Sequence, residues 1–136
     1  MCKMFEKVSG KKNNGNIGEL RGLLKAAMDA NECATIIRIP VELLDIDESY
    51  QIPERTARSL TYLTSNWDDN KLLPLAGVPH FEEGKVYLFD GYGRWIASQM
   101  INPRKDDLQV MVILNAPKEP SKRRIYEANM YAFQNK

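Results

Sequence analysis

Histidine occurs once in the 136 residues, at His80, and cysteine twice, at Cys2 and Cys33. A single histidine excludes HExxH and every paired-histidine metal site. A Ser-His-Asp triad would have to use His80, which Pro79 places in a strand-to-turn segment, and that reading is set aside. The two cysteines are far apart and in no CxxC spacing, which excludes a disulfide framework and a four-thiolate zinc site. Cys33, just past a helix end, reads as a buried or half-buried small hydrophobe. No run of about 18 apolar residues is present, so nothing reads as a transmembrane span. The first residues, Met1-Cys-Lys-Met-Phe-Glu6, lack the apolar core of a signal peptide. With free thiols, the expectation is a cytoplasmic protein. Charge of one sign is also lacking. The 19 Lys+Arg against 18 Asp+Glu leave a formal +1, so the molecule as a whole is no polyelectrolyte partner for DNA.

What is present is ordinary globular material: 43% hydrophobic and 27% charged residues. The length suits one domain of the usual ~100–200 residues. Such a chain buries roughly two-thirds of its unfolded surface and holds its fold without staples. The charge is unevenly spread. Residues 1–12 carry Lys3, Lys7, Lys11 and Lys12 against Glu6, a net +3. Residues 117–136 carry Lys118, Lys122, Arg123, Arg124 and Lys136 against Glu119 and Glu127, again +3. The middle, with 10 basic and 15 acidic residues, is −5. Two basic ends flanking an acidic body are either solvated termini or a modest nucleic-acid footprint.

Residues 1–16 read as a flexible basic lead-in, residues 17–116 as the domain and 117–136 as a C-terminal helix packed on it or extending from it. Asn16 and Glu19 have capping-box spacing. Ile17, Leu20, Leu24, Ala27 and Met28 then recur at helical period and predict a helix from 17 to about 30. Thr35 to Ile39 is a β-branched strand closed by Pro40, and Val41–Leu44 a helical turn. Pro53 suits a helix start, and Ala57, Leu60, Leu63 or Thr64, and Trp67 keep one face apolar. Leu72 to Val78, interrupted by Pro74 and Gly77, predicts an irregular or edge strand. Lys85 to Phe89 should form a hairpin with it, and Arg94 to Ile101 a short helix. Leu108 to Leu114 is the strongest strand signal. Ser121 should cap a last helix through about Phe133, with Ile125, Ala128, Met130 or Tyr131, and Ala132 as its apolar face. The order α-β-α-β-β-α-β-α predicts an α+β domain with a small mixed β-sheet and flanking helices.

The chemistry concentrates in Val86-Tyr-Leu-Phe-Asp90-Gly91-Tyr92-Gly93-Arg94. A strand ends in an aspartate and turns through two glycines into a helix. Glycine permits positive φ and close approach of a ligand. A helix start presents unpaired N–H groups and the positive end of its dipole. Arg94, in that first turn, wants an anion nearby. Together these make a phosphate cradle, where each hydrogen bond to a charged group contributes ~1.5–3 kcal/mol. The alternative is a tight turn with Asp90 capping the helix and Arg94 solvated.

Three pieces in order resemble the ParB-like nuclease domain, the fold shared by ParB N-terminal domains, sulfiredoxin and phage or plasmid proteins with an Asp-Gly-Gln-His-Arg turn. They are Ile36 to Asp45, then Tyr50-Gln51 with a helix and Leu72 to Val78, then Val86 to Ala97 followed by a strand. The resemblance spans about 80 of the 136 residues. It implies a ParB/sulfiredoxin-like α+β fold. In ParB proteins the turn reads Gly-Glu-Arg-Arg and binds cytidine triphosphate; here Gly91 and Arg94 match, with Tyr92 and Gly93 between them. Sulfiredoxin has its nucleophilic cysteine where this chain has Tyr92, so that reaction is unavailable. The Asp-Gly-Gln-His-Arg type matches best, at Asp90, Gly91 and Arg94. A Tyr-Gln-Arg entry is met by Tyr50 and Gln51, with Arg55 the nearest arginine.

The resemblance therefore implies nucleotide or nucleic-acid phosphate binding by Gly91, Tyr92, Gly93, Arg94, Tyr50, Gln51 and Arg55. The ligand expected is a nucleoside triphosphate with magnesium, the setting a phage- or plasmid-derived DNA transaction. Asp90 is the candidate catalytic carboxylate of a nuclease or nucleotide hydrolase. Nothing after Leu114 is long enough for the helix-turn-helix and dimerisation domains of a full segregation protein, so the core domain alone is expected. The other reading is a non-catalytic interaction module that keeps the fold without the ligand. Lys122, Arg123 and Arg124 fill the first turn of the last helix, where the dipole disfavours cations, and are the candidate nucleic-acid contacts. No metal ligands are assigned: Asp45, Asp47 and Glu48 read as solvated carboxylates. Trp67, Trp95 and Tyr87 could stack on bases, but both tryptophans fall on faces assigned to the core.

Overall fold

The computed structural model describes residues 15–52 and 57–134. Helix α1 spans Ile17–Asp29 and starts as its cap residue dictates: the Asn16 side chain accepts the Glu19 N–H at 2.9 Å. Its inner face is Leu20, Leu24 and Ala27. Strand β1 (Ala34–Pro40) runs into one turn of 3-10 helix, Val41–Leu43, and a two-residue strand β2 (Leu44–Asp45). Helix α2 (Ala57–Ser65) precedes strands β3 (Leu75–His80) and β4 (Lys85–Asp90), helix α3 (Tyr92–Ser98), strand β5 (Asp107–Ile113) and helix α4 (Pro120–Gln134). The expected start of α2 at Pro53 lies outside the described residues. Trp67 follows α2 instead of belonging to it and packs, half-buried, against the core.

The fold is α+β, a five-stranded mixed sheet in the order β1-β5-β3-β4-β2 with helices on both faces. β1 pairs antiparallel with β5, Ala34 opposite Ile113 and Pro40 opposite Asp107. β3 lies parallel to β5 and antiparallel to β4, and β2 is parallel to β4. One face carries Ile39, Val86, Leu88, Leu108, Val110 and Val112 against Leu20 and Leu24 of α1 and Trp95 and Ile96 of α3. The other carries Ala76, Val78, Phe89 and Ile113 against Tyr126, Met130 and Tyr131 of α4. Alternate residues of β4 and β5 divide between the two cores, as strand periodicity requires.

Three expectations need correction. The Leu72–Val78 segment yields the central strand of the sheet, not an edge, with every residue of β3 buried. Its Pro and Gly are accommodated locally. Pro74 falls just before the first paired residue, Leu75, and denies no ladder a donor; the ladder to β5 stops at Gly77, two residues short of Pro79. At Gly77, beside a register shift, a Cβ would lie 2.6 Å from the Tyr87 carbonyl oxygen. Second, the inward face of α4 is Arg123, Tyr126, Glu127, Met130 and Tyr131, while Ile125 is 58% exposed and Ala132 and Phe133 are exposed. Apolar periodicity misses a face that carries paired charges. Third, Cys33 is exposed: the turn after α1 faces its backbone toward β5, where its carbonyl accepts the Leu114 N–H at 2.7 Å.

Candidate functional site

β4 ends at Asp90, and α3 begins two residues later at Tyr92. Gly91 between them takes the left-handed conformation, φ 106° and ψ 13°, and its carbonyl accepts the Trp95 N–H at 2.9 Å. A Cβ there would sit 2.4 Å from Leu75 Cγ, so both the backbone and its neighbour demand glycine. Arg94 folds back over this residue. Its Nη1 donates to the Leu73 carbonyl at 2.6 Å and Nη2 to Oδ2 of Asp90 at 3.4 Å. Nη2 also lies 3.2 Å from where a Gly91 Cβ would be. The arginine side chain is only 20% exposed and the Asp90 side chain 38%. Asp90, Gly91 and Arg94 are thus one cluster, with the guanidinium held between a carbonyl and a carboxylate at the mouth of the turn.

The other residues expected beside this turn divide. The Tyr92 ring is 5% exposed and edge-on to Trp95, with centroids 6.0 Å apart, so it is core and cannot meet a ligand as a side chain. Gly93 is buried as well. Gln51 is buried and its Nε2 donates to the Leu88 carbonyl at 2.8 Å, two residues before Asp90. Tyr50 turns elsewhere: its hydroxyl donates to Oε1 of Glu127 at 3.0 Å. Burial, and then the Glu127 charge beside it, push the Tyr50 phenol far above the ordinary tyrosine range. Arg55 lies outside the described residues. Beside the turn, a cleft of about 180 Å³ is lined by Leu73, Leu75, Arg38, Lys105 and Asp69. Its cations are already paired, Arg38 with Asp107 at 2.6 Å and Lys105 with Asp69 at 2.8 Å.

At α4 the basic triplet separates. Lys122 and Arg124 are exposed, the latter 3.4 Å from Ser49 Oγ. Arg123 is buried and forms a two-pronged pair with Glu82 through Nη1 and Nη2. It is a structural ion-pair residue and not an open nucleic-acid contact, which corrects its assignment. Hydrogen bonding to Arg123 holds the Glu82 carboxyl below the usual range. The helix is capped by Glu119, not Ser121: its carboxylate accepts the N–H groups of Ser121 and Lys122, both at 3.1 Å. That carboxylate answers the dipole argument, because the anion wanted by the first turn is supplied by the chain itself. Asp45, Asp47 and Glu48 gather no common point. Asp45 pairs with Lys85 at 3.0 Å, and Asp47 accepts the Ser49 N–H at 2.9 Å. Trp95 is fully buried, and Tyr87 stacks on His80, centroids 3.9 Å apart.

A second cluster was missed by sequence reasoning. Glu127 is 0% exposed and accepts from Tyr50 on one oxygen, while its other lies 2.5 Å from Nε2 of His80. Around it stand the Arg123–Glu82 pair and Tyr87, which donates to Glu83 at 2.6 Å. The signal was available in α4: Arg123, Tyr126, Glu127, Met130 and Tyr131 follow helical spacing as well as the assigned apolar face does.

No family model matches the sequence, and no curated protein matches it. Among solved structures, the fold is similar to the C-terminally truncated chromosome-partitioning protein ParB from Caulobacter crescentus complexed with CTP-gamma-S, with a TM-score of 0.54 and 19% identity. The likeness covers 74% of this chain and 53% of that one, so the chain spans about half the length of that neighbour. At that identity the likeness establishes a ParB-like fold. No helix among the described residues is long and apolar enough to cross a membrane.

Proposed function

We propose that this chain is a ParB-like domain that binds a nucleotide or nucleic-acid phosphate at the Asp90–Arg94 turn, in a phage- or plasmid-derived DNA transaction. One observation carries the reading: in a ParB-like fold, Arg94 lies over a left-handed Gly91 between strand and helix. The bonds holding the guanidinium are exchangeable. Arg94 leaves the Leu73 carbonyl and turns its fork to paired phosphate oxygens, a geometry lysine cannot reproduce. The first-turn N–H groups of α3 would add donors to that anion. Asp90, released from Arg94, is the carboxylate that would hold magnesium on the phosphates or orient water in a nuclease or nucleotide hydrolase. Lys122 and Arg124 would add phosphate contacts at a distance from the turn; Arg123 is committed to Glu82.

The test is a thermal-shift screen of CTP, ATP, GTP and ADP, with and without magnesium. A ligand at 100 times its dissociation constant stabilises by about 2.7 kcal/mol, roughly 8–10 °C for a chain of this size. Arg94→Ala should stay folded and lose the shift; Arg94→Lys should keep part of it. The second reading, an interaction module without ligand, is favoured by the internal bonding of Arg94 and the core position of Tyr92. No shift with any of the four nucleotides would select it.

A further inference from the structure

The turn joining β3 to β4 brings His80, Glu82 and Glu83 around one point, a ligand atom from each within 4.8 Å of the others. The His80 side chain is only 9% exposed, and its two nitrogens have different surroundings. Nε2 faces Glu127, a carboxylate that also accepts the Tyr50 hydroxyl. This network assigns the ring proton to Nε2. Nδ1 is then a bare lone pair, buried and without a hydrogen-bond partner, 3.7 Å from Oε2 of Glu83. Two acceptors facing each other with no proton between them repel, and a cation between them removes the repulsion. An imidazole whose far N–H is held by a carboxylate is the arrangement that orients histidine toward a metal ion. Tyr87 supports both ligands: its ring stacks on His80, and its hydroxyl occupies Oε1 of Glu83, leaving Oε2 for the shared point. Arg123 anchors Glu82, whose oxygens each retain a second lone pair.

We propose that Nδ1 of His80 with the carboxylates of Glu83 and Glu82 forms a binding site for a divalent transition metal of the zinc class, oriented from behind by Glu127. Three carboxylates against one guanidinium surround the imidazole, so the local charge favours a divalent cation. One imidazole nitrogen with carboxylate oxygens suits zinc, cobalt or manganese; magnesium and calcium take oxygen ligands. Three protein ligands leave a fourth tetrahedral position for water. Zinc–ligand distances near 2.0–2.2 Å require the ligand atoms to draw together, which the two solvent-facing glutamates can do by rotation. The ion ties the hairpin turn to α4, because Glu127 behind the histidine and Arg123 behind Glu82 both belong to that helix. The site is independent of nucleotide binding.

The experiment is calorimetric titration of the whole chain with zinc chloride, and separately with magnesium chloride, in a Cys2→Ser, Cys33→Ser background that removes thiol ligands. One zinc per chain is expected, with magnesium far weaker. Glu83→Gln should weaken zinc by about tenfold or more, and Glu127→Gln, which leaves the three ligands in place, by about 10–100-fold. Cobalt(II) should give a ligand-field spectrum that His80→Asn abolishes. Absence of zinc uptake, or equal zinc affinity in Glu83→Gln, overturns the site. Glu83→Gln changes a solvent-facing side chain, so it decides the question even if His80→Asn does not fold.

Discussion

Glu127 is fully buried and accepts two hydrogen bonds, from Tyr50 and from Nε2 of His80, so truncating it to alanine strands two buried polar groups. Each stranded donor costs about 1–3 kcal/mol, and two are stranded together. Glu127→Ala is therefore expected to lose about 3–5 kcal/mol, a large part of the ~5–15 kcal/mol available to a domain. Glu127→Gln keeps the shape and one acceptor oxygen, and should lose about half as much. Tyr50→Phe removes a single bond and should lose about 1 kcal/mol. Urea unfolding of the four proteins measures the series, and the alanine variant should melt roughly 10–20 °C below the parent. The double variant Tyr50→Phe, Glu127→Ala should be less damaged than the sum of its singles, because the tyrosine has no donor left to strand. If Glu127→Ala lies within about 1 kcal/mol of the parent, the buried network carries no stability and the reasoning fails.

Gly91→Ala should destabilise by at least the ~1–2 kcal/mol of a left-handed non-glycine residue, with a further loss from the Leu75 clash; in a double-mutant cycle by denaturation, Gly91→Ala measured against Leu75→Ala alone should cost only the first part. Hydrogen bonds from Ser121, then from the Lys122 backbone, hold the Glu119 carboxyl below the usual range. Its folded-state value lies below its unfolded one, so its contribution is present above about pH 4.3 and is lost as pH falls through the folded value. Glu119→Ala should accordingly melt below the parent at pH 7, and the gap should close in acid; a gap independent of pH refutes the cap. Reversing Lys122 and Arg124 to glutamate, with Arg123 left intact for Glu82, should remove a salt-sensitive mobility shift with DNA. An unchanged shift returns both residues to a solvated face.

Much of the molecule is local, and local features are legible in a sequence. Asn16 and Glu19 announce the start of α1 because a cap is a three-residue device. The alternation of Leu108 to Ile113 announces β5, and the Asp90-Gly-Tyr-Gly-Arg94 segment announces a sharp strand-to-helix turn, because only glycine enters the left-handed region without strain. Partners far apart in the chain were beyond that reach. Pro74 and Gly77 argued for an irregular or edge strand; β3 is irregular, with a register shift at Ala76/Gly77, yet central because β5 crosses over to pair with its first half, a pairing across 35 residues with no local signature. Arg94 was legible as a cation in a first turn, but its attachment to Leu73 depends on where the chain before β3 passes. The largest divergence is at α4. Residue chemistry alone sends Arg123 and Glu127 to solvent, because burying a lone charge is costly. The tertiary structure brings Glu82, His80 and Tyr50 against them, and the helix rotates so that its charged stripe, and not Ile125, faces the sheet.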